Sequence, residues 1–242
     1  MRLTVVNPNT SAAFRTLLKA QLSPLIADQT VLRVVSPVIG FGAIEGFRDE
    51  AYASVGVCEV VETEQSDGAD GFLIACFGDT GLFAAREVAD GPVVGMTEAA
   101  IQAASMIAER FAIVTLPRRT RAHSDRVVAH LGMAHRCSVR GIDVSVGTLE
   151  EEAEAAFPAL LASARDAVDD DGAEAIILGC AGMATLADPL SDRLGMPVID
   201  GVSIGLKMLE GLVACGLRTS KASTFARPTL HDEPVPHLSR ER

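Results

Sequence analysis

Tryptophan is absent from the 242 residues, and there are only one tyrosine and nine phenylalanines, so the core must be built from aliphatic side chains. Hydrophobic residues make up 48% of the chain, and cores rich in Ala, Val, Ile and Leu are typical of parallel α/β proteins. Basic residues are also scarce, since the net charge is −11. This charge excludes the broad cationic surface that nucleic acid or an anionic membrane requires, so we expect neither as a partner.

Cysteine is present, but the spacing of the cysteines is typical neither of a disulfide framework nor of a metal centre. The five cysteines show no C-x-x-C pair, and the five histidines lie far from the glycine-flanked cysteines in sequence, so we expect neither disulfides nor zinc. An odd number of thiols, an opening segment that reads as a strand and the lack of long apolar runs favour a cytoplasmic protein. The glycine-rich loops lack the phosphate-binding and dinucleotide-binding patterns, and we expect no cofactor.

The stretch that says most about fold and function is residues 68–81, with the sequence GADGFLIACFGDTG. Its apolar centre, residues 72–75, is typical of a strand buried on both faces of a parallel sheet. Cys76 follows directly, at the carboxyl end of the strand, where open α/β folds bind ligands. The next helix would point its amino end at this position and favour a thiolate. Cys76 is therefore a candidate acid–base group.

The same layout occurs again at residues 172–180. Each copy places a cysteine eight positions after a glycine, before glycine turns, a short helix and a proline that opens another apolar strand. Cys76 and Cys180 are 104 positions apart, and the opening strands, residues 3–6 and 111–114, are 108 apart. These similar offsets predict two Rossmann-like parallel-sheet domains related by pseudo-twofold symmetry, with the active site in the cleft between them.

The alternation of strands and helices also predicts where the domains begin and end. We assign residues 1–97 and 203–242 to the first domain and residues 98–202 to the second. We predict a helix over 97–109 that links the two halves and an acidic helix over 149–168 that Pro158 interrupts. Beyond residue 219 we expect the tail to form a strap over the surface or to be partly disordered.

Two cysteines at equivalent strand ends would approach one small molecule from opposite faces. A thiolate can remove a proton next to a carbonyl while the opposite thiol delivers a proton to the other face, which inverts the stereocentre. Backbone amides in residues 78–81 and 181–183 could hold the developing enolate. The remaining cysteines lie in helix or strand patterns and are expected to be inert core residues: Cys58, Cys137 and Cys215.

Five motifs spread over nearly the whole chain resemble one known family. They are NPNTS at 7–11, ACFGDTGL at 75–82, AARE at 84–87, GCAGM at 179–183 and PVIDGV at 197–202. They resemble the hydantoin racemase family, which includes allantoin racemases and belongs to the cofactor-independent aspartate/glutamate racemase superfamily. The resemblance implies the two-domain fold, acid–base catalysis by Cys76 and Cys180, and 5-substituted hydantoins or allantoin as substrates.

The candidate substrate-binding residues lie on loops at the strand ends. Three of them differ from the family pattern: Ala43 replaces a serine, Thr80 a proline and Leu116 a threonine. Because two hydroxyl groups are lost, we expect a preference for hydantoins with apolar 5-substituents over allantoin. The full set is Asn9, Ala43, Ile44, Gly78, Asp79, Thr80, Gly81, Thr115, Leu116, Ala181, Gly182 and Met183, among which Asp79 is the most typical of a turn or cap residue.

Other functions remain open at this point. An amino-acid racemase of the aspartate/glutamate type would use the same fold and the same pair of thiols. Related decarboxylases resemble this family with a single cysteine, and a small-molecule sensor on a similar scaffold would need no thiols in register. The two cysteines therefore favour a racemase with a small-molecule substrate, and we also expect a homo-oligomer.

Overall fold

The computed structural model of the protein describes residues 1–147, 149 and 153–228. It contains two four-stranded parallel sheets, with orders β2-β1-β3-β4 and β6-β5-β7-β8. The two orders are equivalent, so the predicted duplication of an α/β unit is confirmed. The strands are β1 (Arg2–Val6), β2 (Val31–Val35), β3 (Gly71–Ile74), β4 (Val93–Gly95), β5 (Phe111–Thr115), β6 (Cys137–Gly141), β7 (Ala175–Gly179) and β8 (Val198–Asp200).

The central strands are buried because helices cover both faces of each sheet. Every residue of β3, β5 and β7 is buried, which explains their continuous apolar runs. The register pairs Val6 with Ile74 in the first sheet and Thr115 with Gly179 in the second. Each sheet therefore ends its two central strands side by side, and the loops that follow start from the same edge.

Eight α-helices lie wholly within the described residues. Ser11 caps the first helix, because its Oγ accepts a hydrogen bond from the amide of Phe14 at 3.1 Å. The carboxylate of Asp200 caps the last helix in the same way. The helices are α1 (Ala12–Leu22), α2 (Phe47–Ser66), α3 (Leu82–Val88), α4 (Met96–Ile107), α5 (Arg121–His130), α6 (Phe157–Asp171), α7 (Ala187–Leu194) and α8 (Gly201–Ala214).

One helix prediction was wrong. Pro158 does not interrupt a long acidic helix but stands in the first turn of α6, where a missing N–H leaves no hydrogen bond unmade. Residues 150–152 of the predicted helix lie outside the described residues.

Helices α4 and α8 join the two halves of the molecule. Helix α4 follows the first sheet but packs against β7 and β8, while α8 follows the second sheet and packs against β3 and β4. The two helices also contact each other, and their starts approach closely: a Cβ added at Gly201 would lie 2.6 Å from the carbonyl oxygen of Met96. The domain boundaries at residues 97 and 202 stay predictions.

The chain beyond α8 runs back along the first half, as the predicted strap would. The hydroxyl of Thr219 donates to the carbonyl of Gly91 at 2.8 Å. Lys221 Nζ donates to the carbonyl oxygens of Arg86 and Glu87 at 2.6 and 2.8 Å, and these carbonyls belong to the last turn of α3. The rest of the predicted strap, residues 229–242, lies outside the described residues.

Candidate active site

The loops that follow β1, β3, β5 and β7 meet around a cavity between the two halves. Its volume is about 50 Å³. Each half contributes one cysteine to the wall, together with several polar side chains. The lining residues include Asn7, Asn9, Phe14, Ile44 and Cys76 from the first half, and Thr115, Leu116, Thr120, His123, Ser124, Cys180 and Ala181 from the second.

The two predicted cysteines reach this cavity from equivalent positions. Cys76 begins the first cysteine loop (residues 76–81) after β3, and Cys180 begins the second (residues 180–186) after β7. Both thiols are half-buried at the wall. They are also close enough to influence each other, because the charge of Cys180 contributes to the raised pKa of Cys76. The fold therefore brings one thiol from each half to the same small space.

The pKa of Cys76 is shifted in the direction opposite to our expectation. Burial raises it to about 12, and the charges of Cys180 and Asp79 act in the same direction. A hydrogen bond from the hydroxyl of Thr80 to Cys76 Sγ, at 3.4 Å, opposes this shift. The predicted lowering by a helix was wrong because α3 begins only at Leu82, so a turn of residues 77–81 separates its amino end from the thiol.

Asp79 acts as a helix cap instead of lining the cavity. Its buried carboxylate accepts hydrogen bonds from the amides of Thr97 and Glu98, at 2.8 and 2.9 Å, in the first turn of α4. Burial raises the pKa of this carboxyl to about 7, while the two amides oppose the shift. The amide of Gly78 donates to Thr97 Oγ1 at 2.8 Å and that of Asp79 to the carbonyl of Cys76 at 3.0 Å. Both amides are therefore already engaged within the structure, and the predicted substrate role of these two residues stays a prediction.

Five further residues from the predicted set also lie off the cavity wall. Ala43 and Met183 pack in the apolar core of the second half. Gly182 lies beneath Phe14, because an added Cβ would be 3.0 Å from the phenylalanine ring. Thr80 is buried beside Cys76, and Gly81 packs against α2. These residues shape the loops, whereas Asn9, Ile44, Thr115, Leu116 and Ala181 do line the cavity.

The sequence reasoning missed several wall residues on the first helix of each half. Phe14 on α1 lies against Gly182 of the second cysteine loop, and His123 on α5 lies against Gly78 of the first. Phe14 and His123 are 109 positions apart, close to the strand offset of 108. The repeat therefore makes His123 the counterpart of Phe14, whereas we considered the histidines in the sequence only as zinc ligands.

Two polar atoms at the wall have no hydrogen-bond partner within the described part of the chain. They are Asn7 Oδ1 and Ser124 Oγ, and both side chains are buried. Asn7 Nδ2 is already engaged, since it donates to Asn9 Oδ1 at 2.7 Å and to Ser36 Oγ at 3.1 Å. A buried polar atom without a partner is destabilising, so N–H and C=O groups of a ligand would be favoured here.

His123 separates this cavity from a larger outer cavity of about 450 Å³. Its Nδ1 lies 3.4 Å from Glu50 Oε2, which also pairs with Arg126 at 2.8 Å. The ring of Phe47 stacks on the imidazole, with centroids 4.4 Å apart. Burial lowers the pKa of His123, although the charge of Glu50 opposes this shift. The histidine is therefore held as a mostly neutral part of the wall at neutral pH.

The other titratable side chains suggest no second centre. Within residues 1–147, 149 and 153–228, no group of three or more His, Cys, Asp or Glu side chains is placed to hold a metal ion. Cys137 is buried, as expected of a core thiol, and Cys58 is half-buried. Cys215 is exposed, so the core prediction was wrong for that residue, which follows directly after the end of α8.

The duplicated α/β fold with a cleft between its halves matches the fold of racemases of the Asp/Glu type. Residues 3–209 match the family model described as Asp/Glu/Hydantoin racemase, and the chain belongs to this family. The predicted family resemblance is thus confirmed, and the protein is an isomerase of the racemase type.

Individual relatives match along nearly their whole length. The chain is 42% identical to a hydantoin racemase of Paenarthrobacter aurescens over 95% of this chain and 98% of that protein. It is 41% identical to a hydantoin racemase of Rhizobium meliloti, over 95% and 96% of the two chains. Among solved structures, the allantoin racemase from Klebsiella pneumoniae has a TM-score of 0.91 and 44% identity, with 95% and 94% of the two chains covered.

Proposed function

We propose that this protein racemises a hydantoin-type substrate, with Cys76 and Cys180 as the two groups that exchange protons with its stereocentre. The observation that carries the proposal is that one thiol from each half lines the same cavity. The substrate class is supported by relatives that are named hydantoin racemases or an allantoin racemase. In both compounds the hydrogen on the stereocentre lies next to a carbonyl, which makes it removable without a cofactor.

The proposed racemisation needs no oxidant and releases no leaving group, because only protons are exchanged. One cysteine, as the thiolate, takes the proton from the stereocentre, and the electron pair moves to the adjacent carbonyl as an enolate. The opposite thiol then donates its proton to the other face of the carbon and is left as the thiolate. For the other enantiomer the two cysteines exchange roles.

The wall offers partners for the polar groups of the ring. Asn7 Oδ1 can accept a hydrogen bond from a ring N–H, and Ser124 Oγ can donate to a carbonyl oxygen. Thr115 is already engaged, because its hydroxyl donates to the carbonyl of Gly179 at 3.0 Å. A cavity of about 50 Å³ has room for only about one or two waters, so we expect the wall to move outward when a ring binds.

Heavy water distinguishes the racemase from its alternatives. Each pure enantiomer of allantoin, several 5-alkyl hydantoins, aspartate and glutamate is incubated with the protein in heavy water. We expect a hydantoin-type compound to lose its optical rotation and to gain one deuterium at the stereocentre of the inverted product. Turnover of the amino acids alone would point to the wider superfamily, and binding without deuterium uptake would point to a sensor.

Leu116 provides a test of substrate preference. Of the three positions that differ from the family pattern, it alone borders the described cavity. We expect the wild type to prefer 5-alkyl hydantoins over allantoin, and Leu116→Thr to shift the ratio of kcat/KM values toward allantoin by roughly tenfold. Ala43→Ser is the matched control, because Ala43 packs in the core and should shift this ratio little. A wild-type preference for allantoin would contradict the argument.

Reagents that act on metals and on thiols should have opposite effects. Iodoacetamide should inactivate the protein, and saturating substrate should slow this inactivation, whereas a chelator should leave activity unchanged. Because the pKa of Cys76 is raised to about 12, its thiolate fraction grows about tenfold for each pH unit below that value. The alkylation rate at Cys76 should therefore rise steadily from pH 7 to 10. Zinc-dependent recovery after chelation would contradict the proposal.

The cellular location and the oligomeric state of the protein stay predictions. The odd number of cysteines, five, favours a reducing, cytoplasmic location. No helix within the described ranges is long and apolar enough to cross a membrane. We also propose a homo-oligomer, which size-exclusion chromatography with light scattering can measure.

A further inference from the structure

The cavity beside the two thiols, here called the inner cavity, is too small for a substituted ring. Its volume is about 50 Å³, whereas the outer cavity holds about 450 Å³. Among the described residues, His123 is the only one that lines both cavities. Displacement of this imidazole would therefore join the two spaces and give a bound ring room for a side group.

The contacts of His123 leave its ring free to turn toward the surface. On the inner side it faces a glycine, because a Cβ added at Gly78 would lie 3.2 Å from His123 Cβ. On the other side the ring of Phe47 stacks on the imidazole at 4.4 Å. Phe47 is itself 55% exposed, so the two rings can move outward together without disturbing a packed core.

Moving the imidazole also leaves no charge without a partner. His123 Nδ1 lies 3.4 Å from Glu50 Oε2, but Arg126 Nη2 donates to both oxygens of that carboxylate, at 3.1 and 2.8 Å. Burial lowers the pKa of His123, so the ring is mostly neutral at neutral pH. Glu50 therefore keeps its charged partner when the imidazole leaves.

The wall of the outer cavity suits an uncharged group. Glu50 pairs with Arg126, and Glu98 Oε2 accepts a hydrogen bond from Arg86 Nη2 at 2.9 Å. A charged group would lose water at such a wall without gaining a free partner, whereas an apolar group would gain from burial. The apolar residues of this wall are Leu82, Phe83, Ala84, Val127 and Leu131.

We propose that His123 is the movable wall between the two cavities and that the outer cavity receives the 5-substituent of the substrate. This inference rests on the proposed function, because it concerns how a hydantoin ring fits between the thiols. The ring stays in the inner cavity, and its substituent extends past the displaced imidazole toward Phe83 and Val127. His123 therefore determines how large a substituent the protein accepts, and uncharged apolar substituents are favoured.

The first test compares a small and a large substituent. The kcat/KM values of 5-methyl and 5-benzyl hydantoin are measured for wild type, His123→Ala and Val127→Phe. We expect His123→Ala to raise the benzyl-to-methyl ratio by roughly tenfold and Val127→Phe, which fills the outer cavity, to lower it by roughly tenfold, mainly through KM. A hydantoin with a 2-carboxyethyl substituent should be a poorer substrate than the benzyl compound.

His135→Ala is the matched control. His135 is an exposed histidine in the turn between α5 and β6, and it lines neither cavity, so this variant should leave the ratio unchanged. If Val127→Phe does not fold, as judged by thermal melting, Ala84→Phe narrows the outer cavity from an exposed position on α3.

A second test needs no turnover. N-methylmaleimide and N-benzylmaleimide carry a five-membered ring of similar size to a hydantoin, and their reaction with Cys76 and Cys180 is quantified by peptide mass spectrometry. The ratio of the two rates at one cysteine cancels any change in the reactivity of its thiol. We expect His123→Ala to raise the benzyl-to-methyl ratio at the cavity thiols by roughly three- to tenfold and to leave the ratio at the exposed Cys215 unchanged.

Two results would overturn the proposal. An unchanged maleimide ratio at both cavity thiols in folded His123→Ala would show that this residue is not the movable wall. An unchanged ratio of kcat/KM values in a folded variant with a filled outer cavity would show that the substituent does not lie there. Failure of the proposed function would instead appear as no racemisation of any hydantoin while the maleimide ratio still rises in His123→Ala.

Discussion

Replacing either Cys76 or Cys180 with alanine should lower the racemisation rate by roughly 10²–10⁴-fold, because each change removes one of two proton-transfer groups that act together. Both thiols line the same inner cavity between the halves, and no other cysteine in the described residues does. Polarimetry on single hydantoin enantiomers measures the loss. Near-wild-type turnover in either variant would rule out the two-thiol mechanism.

Deuterium exchange gives the same variants a sharper signature. Cys180→Ala keeps Cys76 as a base, so in heavy water it should exchange the stereocentre proton of one enantiomer without inverting it. Cys76→Ala should do the same with the other enantiomer. Exchange of both enantiomers by one variant would show that a single group serves both faces, contrary to the proposal.

The remaining cysteines supply the controls. Cys58 lies on α2, Cys137 begins β6 and Cys215 is exposed after α8, and none of the three lines the cavity. Alanine at each of these positions should leave the rate of racemisation nearly unchanged. Cys137→Ala should cost some stability because this thiol is buried, so its activity is compared below the melting temperature.

Replacing Asp79 with alanine should lower the free energy of unfolding by roughly 2–4 kcal/mol, because the amides of Thr97 and Glu98 lose a buried acceptor. Helix α4 starts at this contact and joins the two halves, so its loosening affects the whole fold. Urea unfolding at pH 5 measures the change. Asp79→Asn is the matched variant, since it keeps one side-chain oxygen and should lose less.

The same carboxyl should make stability depend on pH. Burial raises its pKa from the ordinary 3.8 to about 7, so the native state binds this proton more tightly than the unfolded chain does. Its contribution to stability is therefore fully present below about pH 4 and is lost as the pH rises through about 7. The difference in unfolding free energy between wild type and Asp79→Asn should shrink over this interval. A difference that grows with pH would show that the two amides outweigh burial.

The fold could be predicted because the sequence patterns that indicate it are local and occur twice in the chain. Strands that are buried on both faces need continuous apolar runs, so residues 72–75 and 175–179 were recognisable without any neighbours. The similar offsets of strands and cysteines then implied two equivalent sheets. The cysteine pair followed from one rule of α/β folds, that side chains after parallel strands gather at the same edge.

The sequence by itself thus determined the duplicated architecture and the positions of Cys76 and Cys180, whereas only the tertiary structure decided which neighbours reach them. Phe14, His123 and Ser124 line the cavity because α1 and α5 pack against the opposite cysteine loops, a packing that no local pattern encodes. The raised pKa of Cys76 has a similar origin, since burial sums over atoms from both halves of the chain.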